Sequence, residues 1–153
     1  MRPLATALLF AFTCVAAQAD PIVLGTWRSD RDLTMRFARE HASLENKTLL
    51  FLEQMMGRLT LTFAAAQLTS QLPNWESETS EGVKSQLVGF KETHPYRVVA
   101  TTRTQVAVVT PEPVTGRQAI TVYNFDNADT MWIYLGGASF PEMNVREYFV
   151  RIK

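Results

Sequence analysis

The hydrophobic period along this chain changes twice. Ile22 to Arg28 alternates as a strand does, and Ser29-Asp30 can then cap a helical stretch in which Leu33 and Phe37 fall four apart on one face. A second helix is signalled by Ser43 as N-cap, by Leu44, Thr48, Leu52 and Met55 or Met56 at i, i+4, i+8 spacing, and by Gly57 as a C-terminal stop. From Arg58 the period falls to two. Leu59, Leu61 and Phe63 alternate with Thr60 and Thr62, the pattern of a strand with one face in the core.

Gln67 to Gly82, with Pro73, Asn74 and many hydroxyl side chains, points to a loop or irregular hairpin. Further strands are expected at about Lys84–Lys91, Tyr96–Thr102, Gln105–Thr110, Gln118–Phe125 and Thr130–Leu135, with Arg146–Ile152 closing the series. The breaks have local causes: His94-Pro95, the Pro111 to Pro113 turn with Gly116, Asp126-Asn127, and a longer loop from Gly136-Gly137 to Pro141. Short strands joined by hairpin-sized gaps predict a mainly β fold, an antiparallel up-and-down barrel of about eight strands with two helices inserted after strand one. Closing the sheet removes exposed edges.

The first nineteen residues have the form of an export signal. Arg2 is the positive end, Leu4 to Val15 the apolar stretch and Ala17-Gln18-Ala19 the cleavage site, so the expected product is a single domain, residues 20–153, in the periplasm or outside the cell. The apolar run is shorter than the ~20 residues a membrane span needs. Cys14, a lipoprotein site by position, is preceded by Ala11-Phe12-Thr13, which lacks the usual leucine and small residue. Cleavage after Ala19 removes this sole cysteine, so packing rather than disulfides must hold the domain together. The chain carries 15 basic and 15 acidic residues with no basic block, which argues against nucleic acid or an anionic membrane as partner.

No G-x-S-x-G, H-E-x-x-H or phosphate-binding loop occurs, and nothing points to an enzyme, although fold alone does not exclude one. His41 and His94 lack a cysteine or acidic cluster beside them, so no metal and no cofactor are expected. Glu76, Glu78 and Glu81 fit a solvated loop better than paired-carboxylate chemistry.

Gly25-Thr26-Trp27 on the opening strand, the meander and the terminal Arg146-Glu147-Tyr148 together resemble the calycins, the superfamily of lipocalins and fatty-acid-binding proteins. The resemblance implies a lipocalin-like barrel in which Gly25 and Trp27 are structural, the tryptophan packing at the base against an arginine of a late strand. It also implies that the helical pair, Asp30 to Met56, acts as a lid through Leu44, Phe51, Leu52 and the Met55-Met56 pair. In fatty-acid-binding proteins an R-x-Y pair on the last strand holds a carboxylate, and Arg146 and Tyr148 match it here.

Strand alternation puts Arg146, Tyr148, Val150 and Ile152 on one face, with Arg151 on the other. The first face is placed inside the barrel, where Arg146 either meets a ligand anion or stacks on Trp27. Trp132 and Tyr134 share a face opposite Met131, Ile133 and Leu135; both faces are apolar, as they are around Tyr123 and Phe125, so periodicity leaves the inward set open. The candidate ligand-binding residues are therefore Arg146, Tyr148, Tyr123, Trp132 and Tyr134. The expected function is a periplasmic, non-enzymatic binding protein for a small apolar or amphipathic ligand such as a fatty-acid-like anion. The alternative is a protein-interaction or inhibitor module with a filled barrel and no ligand.

Overall fold

The computed structural model describes residues 22–79, 81–111, 117–135 and 144–152. The expected signal segment with Cys14 and its cut after Ala19, residues 112–116 of the proline turn and the Gly136–Pro141 loop lie outside the described residues. In chain order the elements are β1 (Gly25–Asp30), α1 (Arg31–His41), α2 (Asn46–Met55), β2 (Thr60–Phe63), β3 (Gln67–Leu72), β4 (Trp75–Glu78), β5 (Lys84–Leu87), β6 (Phe90–Pro95), β7 (Arg97–Thr101), β8 (Gln105–Pro111), β9 (Gln118–Asn127), β10 (Thr130–Tyr134) and β11 (Arg146–Ile152). One antiparallel sheet runs in the order β6-β3-β2-β1-β11-β10-β9-β8-β7, and β4 pairs with β5 in a separate ribbon. The strands at the two ends of the large sheet, β6 and β7, are consecutive in the chain with Tyr96 between them. The sheet therefore curls until it is nearly closed into a barrel.

The mainly β architecture and the two helices after strand one match expectation, but the large sheet has nine strands rather than eight. The segment expected as a loop from Gln67 contains β3 and β4. Strand β3 is polar because only Leu68 of its side chains is buried, and its backbone is satisfied by β2 on one side and β6 on the other. The strand expected from Lys84 to Lys91 is two strands, split at Gly89, where a Cβ would lie 2.0 Å from the Leu72 carbonyl oxygen. Only glycine admits that approach. Strand β6 runs through His94-Pro95, and the change of partner comes at Tyr96, whose amide and hydroxyl donate to the Ala66 and Ala64 carbonyls at 3.2 and 2.8 Å.

Pairing register decides what faces inward. Trp27 lies opposite Leu61 and Arg151, Met131 opposite Phe149 and Phe125, and Val106 opposite Tyr123. Apart from Arg151, these residues form the core with Phe63, Leu68, Tyr96 and Val108. Phe63 meets Tyr96 and Tyr123 edge-on at 5.4 and 5.2 Å, so aromatic rings occupy the middle of the barrel.

One end is plugged by Trp27, which is fully buried and donates from its indole nitrogen to the Val23 carbonyl at 2.8 Å. The Arg151 guanidinium of the closing strand lies 4.1 Å over its ring. That arginine also donates to the carbonyls of Leu24, Ile22 (2.8 Å) and Ala128 (3.1 Å), tying the start of the domain to its last strand and to the β9–β10 turn. Gly25 makes this possible twice over. Its φ of 116° disfavours a side chain, and a Cβ there would stand 2.8 Å from Arg151 Nη1.

Helix α1 packs on the opposite half of the closing strand, and α2 packs on α1 and β4. Asp30 caps α1 by accepting from the Leu33 amide at 2.9 Å, and Gly57, with φ of 84°, ends the α2 turn. The N-cap of α2 is Glu45 rather than Ser43, and its side chain makes no capping bond. Met35, Leu52, Met56 and Val145 form a small second core, with Leu44 and Met55 packed against it, whereas Phe51 points outward. Trp27→Ala should lower stability by about 3 to 5 kcal/mol, the cost of deleting a large buried aromatic. Chemical denaturation measures this, and a melting profile equal to wild type would refute the plug.

Candidate functional site

Four of the five expected ligand residues come together, but on the outside of the barrel. On β11 the buried face is Glu147 and Phe149, continuing to Arg151, so Arg146 and Tyr148 point outward, a correction to their expected interior placement. The reason is α1. It packs on the outer face of β11, with the Thr34 hydroxyl accepting from the Tyr148 amide at 2.9 Å, so both faces of that strand needed apolar residues and alternation lost its polarity signal. Register then places Trp132 beside Tyr148 and Tyr134 beside Arg146 on the same outer face.

The centre of this cluster is the Arg146 guanidinium. Its carbon lies 3.9 Å from the Trp132 ring centre, 4.4 Å from Phe37 of α1 and 5.4 Å from Tyr134, whose hydroxyl accepts from Nη2 at 3.3 Å. Each such ring contact is worth about 0.5 to 2 kcal/mol, depending on desolvation. Burial works against the charge, but hydrogen bonding to Tyr148 and Tyr134 prevails and raises the pKa above the ordinary arginine value. The buried Nε has no hydrogen-bond partner. Trp132 is fixed in turn by its indole nitrogen, which donates to Asp126 at 3.1 Å.

Clefts flank the cluster on both sides. One of about 370 Å³ lies between α1 and the sheet, lined by Leu33, Arg36, Phe37, Glu40, Asp126 and Tyr148 among others. Another of about 460 Å³ is lined by Ile120, Val122, Asn124 and Tyr134 among others, and there Ile120 is 67% and Tyr134 48% exposed. No family model, characterised protein or solved structure matches this chain. Tyr123, the fifth expected residue, faces inward against Phe63, and burial followed by the charge of Glu147 pushes its ionisation well up.

Phe37, Arg151 and Glu147 matter here without having been expected to. Phe37 supplies one wall of the cluster, and Arg151 is the arginine that meets Trp27. Glu147 is the carboxyl of the interior face, 4% exposed, and no cation pairs with it among the described residues. Burial raises its pKa from 4.5 to about 7, the Ser29 hydroxyl pulling the other way. Its position two residues before Phe149 and four before Arg151 was the available signal.

A raised carboxyl pKa means that the folded chain holds the proton more tightly than the unfolded one. The stability linked to Glu147 is full below about pH 4.5 and is lost as pH climbs through about 7. Between about pH 5 and pH 8 the protein should lose about 2 to 3 kcal/mol from this group. Urea titrations at the two pH values check this, with Glu147→Gln expected to flatten the difference.

Proposed function

We propose that this chain is an exported, lipocalin-like protein-interaction module without enzymatic activity, whose contact surface is the outer face of β9–β11. One observation carries the reading: rings fill the barrel core while Arg146 stands among Phe37, Trp132 and Tyr134 on the outside. Tyrosine, tryptophan and arginine dominate the energetics of protein interfaces because they combine large apolar area with directional hydrogen bonds. Ile120 and Val122 extend the patch with exposed aliphatic surface. The matching partner presents an apolar segment with a carboxylate, the anionic acceptor that no described residue provides for Arg146. The stacking of Arg151 on Trp27 beside Gly25 supports the lipocalin-like assignment.

The packed core also argues against the small-ligand reading, since an acyl chain would have to displace Phe63, Tyr96 or Tyr123 from mutual contact. Affinity capture from exported proteins with wild type, Arg146→Gln and Tyr134→Ala tests the surface, with circular dichroism to confirm that each is folded. A specific partner should be bound at least about tenfold more weakly by both variants. Native mass spectrometry showing a small molecule on the wild type, with capture indifferent to both substitutions, would overturn the proposal.

A further inference from the structure

Glu147 sits at the junction of the two cores. Along β11, Val145 belongs to the cluster with Met35, Leu52 and Met56 that holds α2, and Phe149 belongs to the barrel core. Ser29, the hydroxyl acting on Glu147, also accepts from the Gly57 amide at 3.0 Å, the bond that anchors the chain leaving α2. We propose that ionisation of Glu147 undocks α2 from the barrel, making this helix a lid that stays shut while the carboxyl is protonated.

Unequal anchoring of the two helices selects α2. Helix α1 has a side-chain N-cap, buries Thr34, Met35 and Ala38, and is bonded to β11 through Thr34. Helix α2 has no side-chain cap and buries only Leu52 of its own length. Its other ties are at the surface: Gln54 exchanges hydrogen bonds with the Glu78 backbone at 2.7 and 2.6 Å, and Glu53 meets Arg31 and Arg39 at 3.1 and 2.9 Å. Exposed bonds of this kind contribute little to docking. The small apolar cluster beside Glu147 therefore holds the helix.

The surroundings leave a charged Glu147 without compensation. From β9 it faces the Tyr123 hydroxyl, itself resistant to ionisation, and from β1 the Ser29 hydroxyl, which favours the charged form. The buried positions of α1 and α2 are Thr34, Met35, Ala38 and Leu52, none of which titrates. Among the described cations, Arg31 and Arg39 meet Glu53, Arg58 donates to the Gln54 carbonyl and Arg151 stacks on Trp27. Water entering through an opened α2 is then the available way to solvate the carboxylate.

Hydrogen exchange of the intact domain across about pH 5.5 to 8, corrected for intrinsic exchange rates, decides the matter. Protection of Leu49 to Gly57 should fall on the order of tenfold through an opening with little urea dependence, whereas α1 and the barrel strands follow the global loss of stability and keep the full urea dependence of unfolding. Glu147→Gln should keep α2 protected throughout. Carbon-13 carboxyl titration of Glu147 in the wild type gives a second readout that needs no variant, and its midpoint should coincide with that of α2 opening. An α2 opening with the same urea dependence as that of α1 and the strands would overturn the lid. So would mismatched midpoints, or a pH response surviving in the glutamine variant.

Discussion

The barrel depends on the contact between Arg151 and Trp27. Pairing of β1 with β11 joins the first and last strands of the chain in the middle of the nine-stranded sheet, whose edge strands β6 and β7 curl toward each other. At the end of that pair a guanidinium stacks on a buried indole and donates to the carbonyls of Ile22 and Leu24, which precede β1. Gly25 is part of the same device, since its missing side chain is the space the guanidinium occupies. The Arg151–Leu24 bond joins residues 127 positions apart, so it ties the first strand of the sheet to the last.

With that end sealed by the arginine, the other half of β11 is free to serve a different layer. Helix α1 covers the strand from outside, and the strand becomes apolar on both faces. The outer residues of β10 and β11 are then sorted by whether the helix reaches them: Tyr148 packs against Phe37, while Tyr134 remains nearly half exposed. Arg146 lies at the boundary, stacked yet accessible, which is where a guanidinium keeps both its packing and its capacity to bind an acceptor. The exposed aromatic cluster is thus a by-product of how far one helix extends across the sheet.

Glu147 is the cost of the same arrangement. Its neighbours in the chain, Arg146 and Tyr148, belong to the outer layer, and alternation drives the intervening carboxyl into the core, between the barrel and the helical cluster. There it finds a hydroxyl from Ser29 but no cation. Fold stability is consequently coupled to protonation in the neutral range.

The sequence by itself determined the helices, the change to a two-residue period, the capping by Asp30, the stop at Gly57 and the burial of Trp27. Each of these follows from short-range patterns or from a side chain too large to leave exposed. It also paired Arg146 with Tyr148 and Trp132 with Tyr134, because i, i+2 spacing on strands is a local property, but it grouped Tyr123 with them. Which side of the barrel they occupy was decided only by tertiary structure. A helix packed on the outer face makes both faces of β11 apolar, and no periodicity within seven residues can distinguish core from underside of a helix. The polar strand β3 and the split at Gly89 were hidden for a related reason: the pairing of one and the backbone clash of the other involve partners far along the chain, and neither leaves a hydrophobic signature of its own.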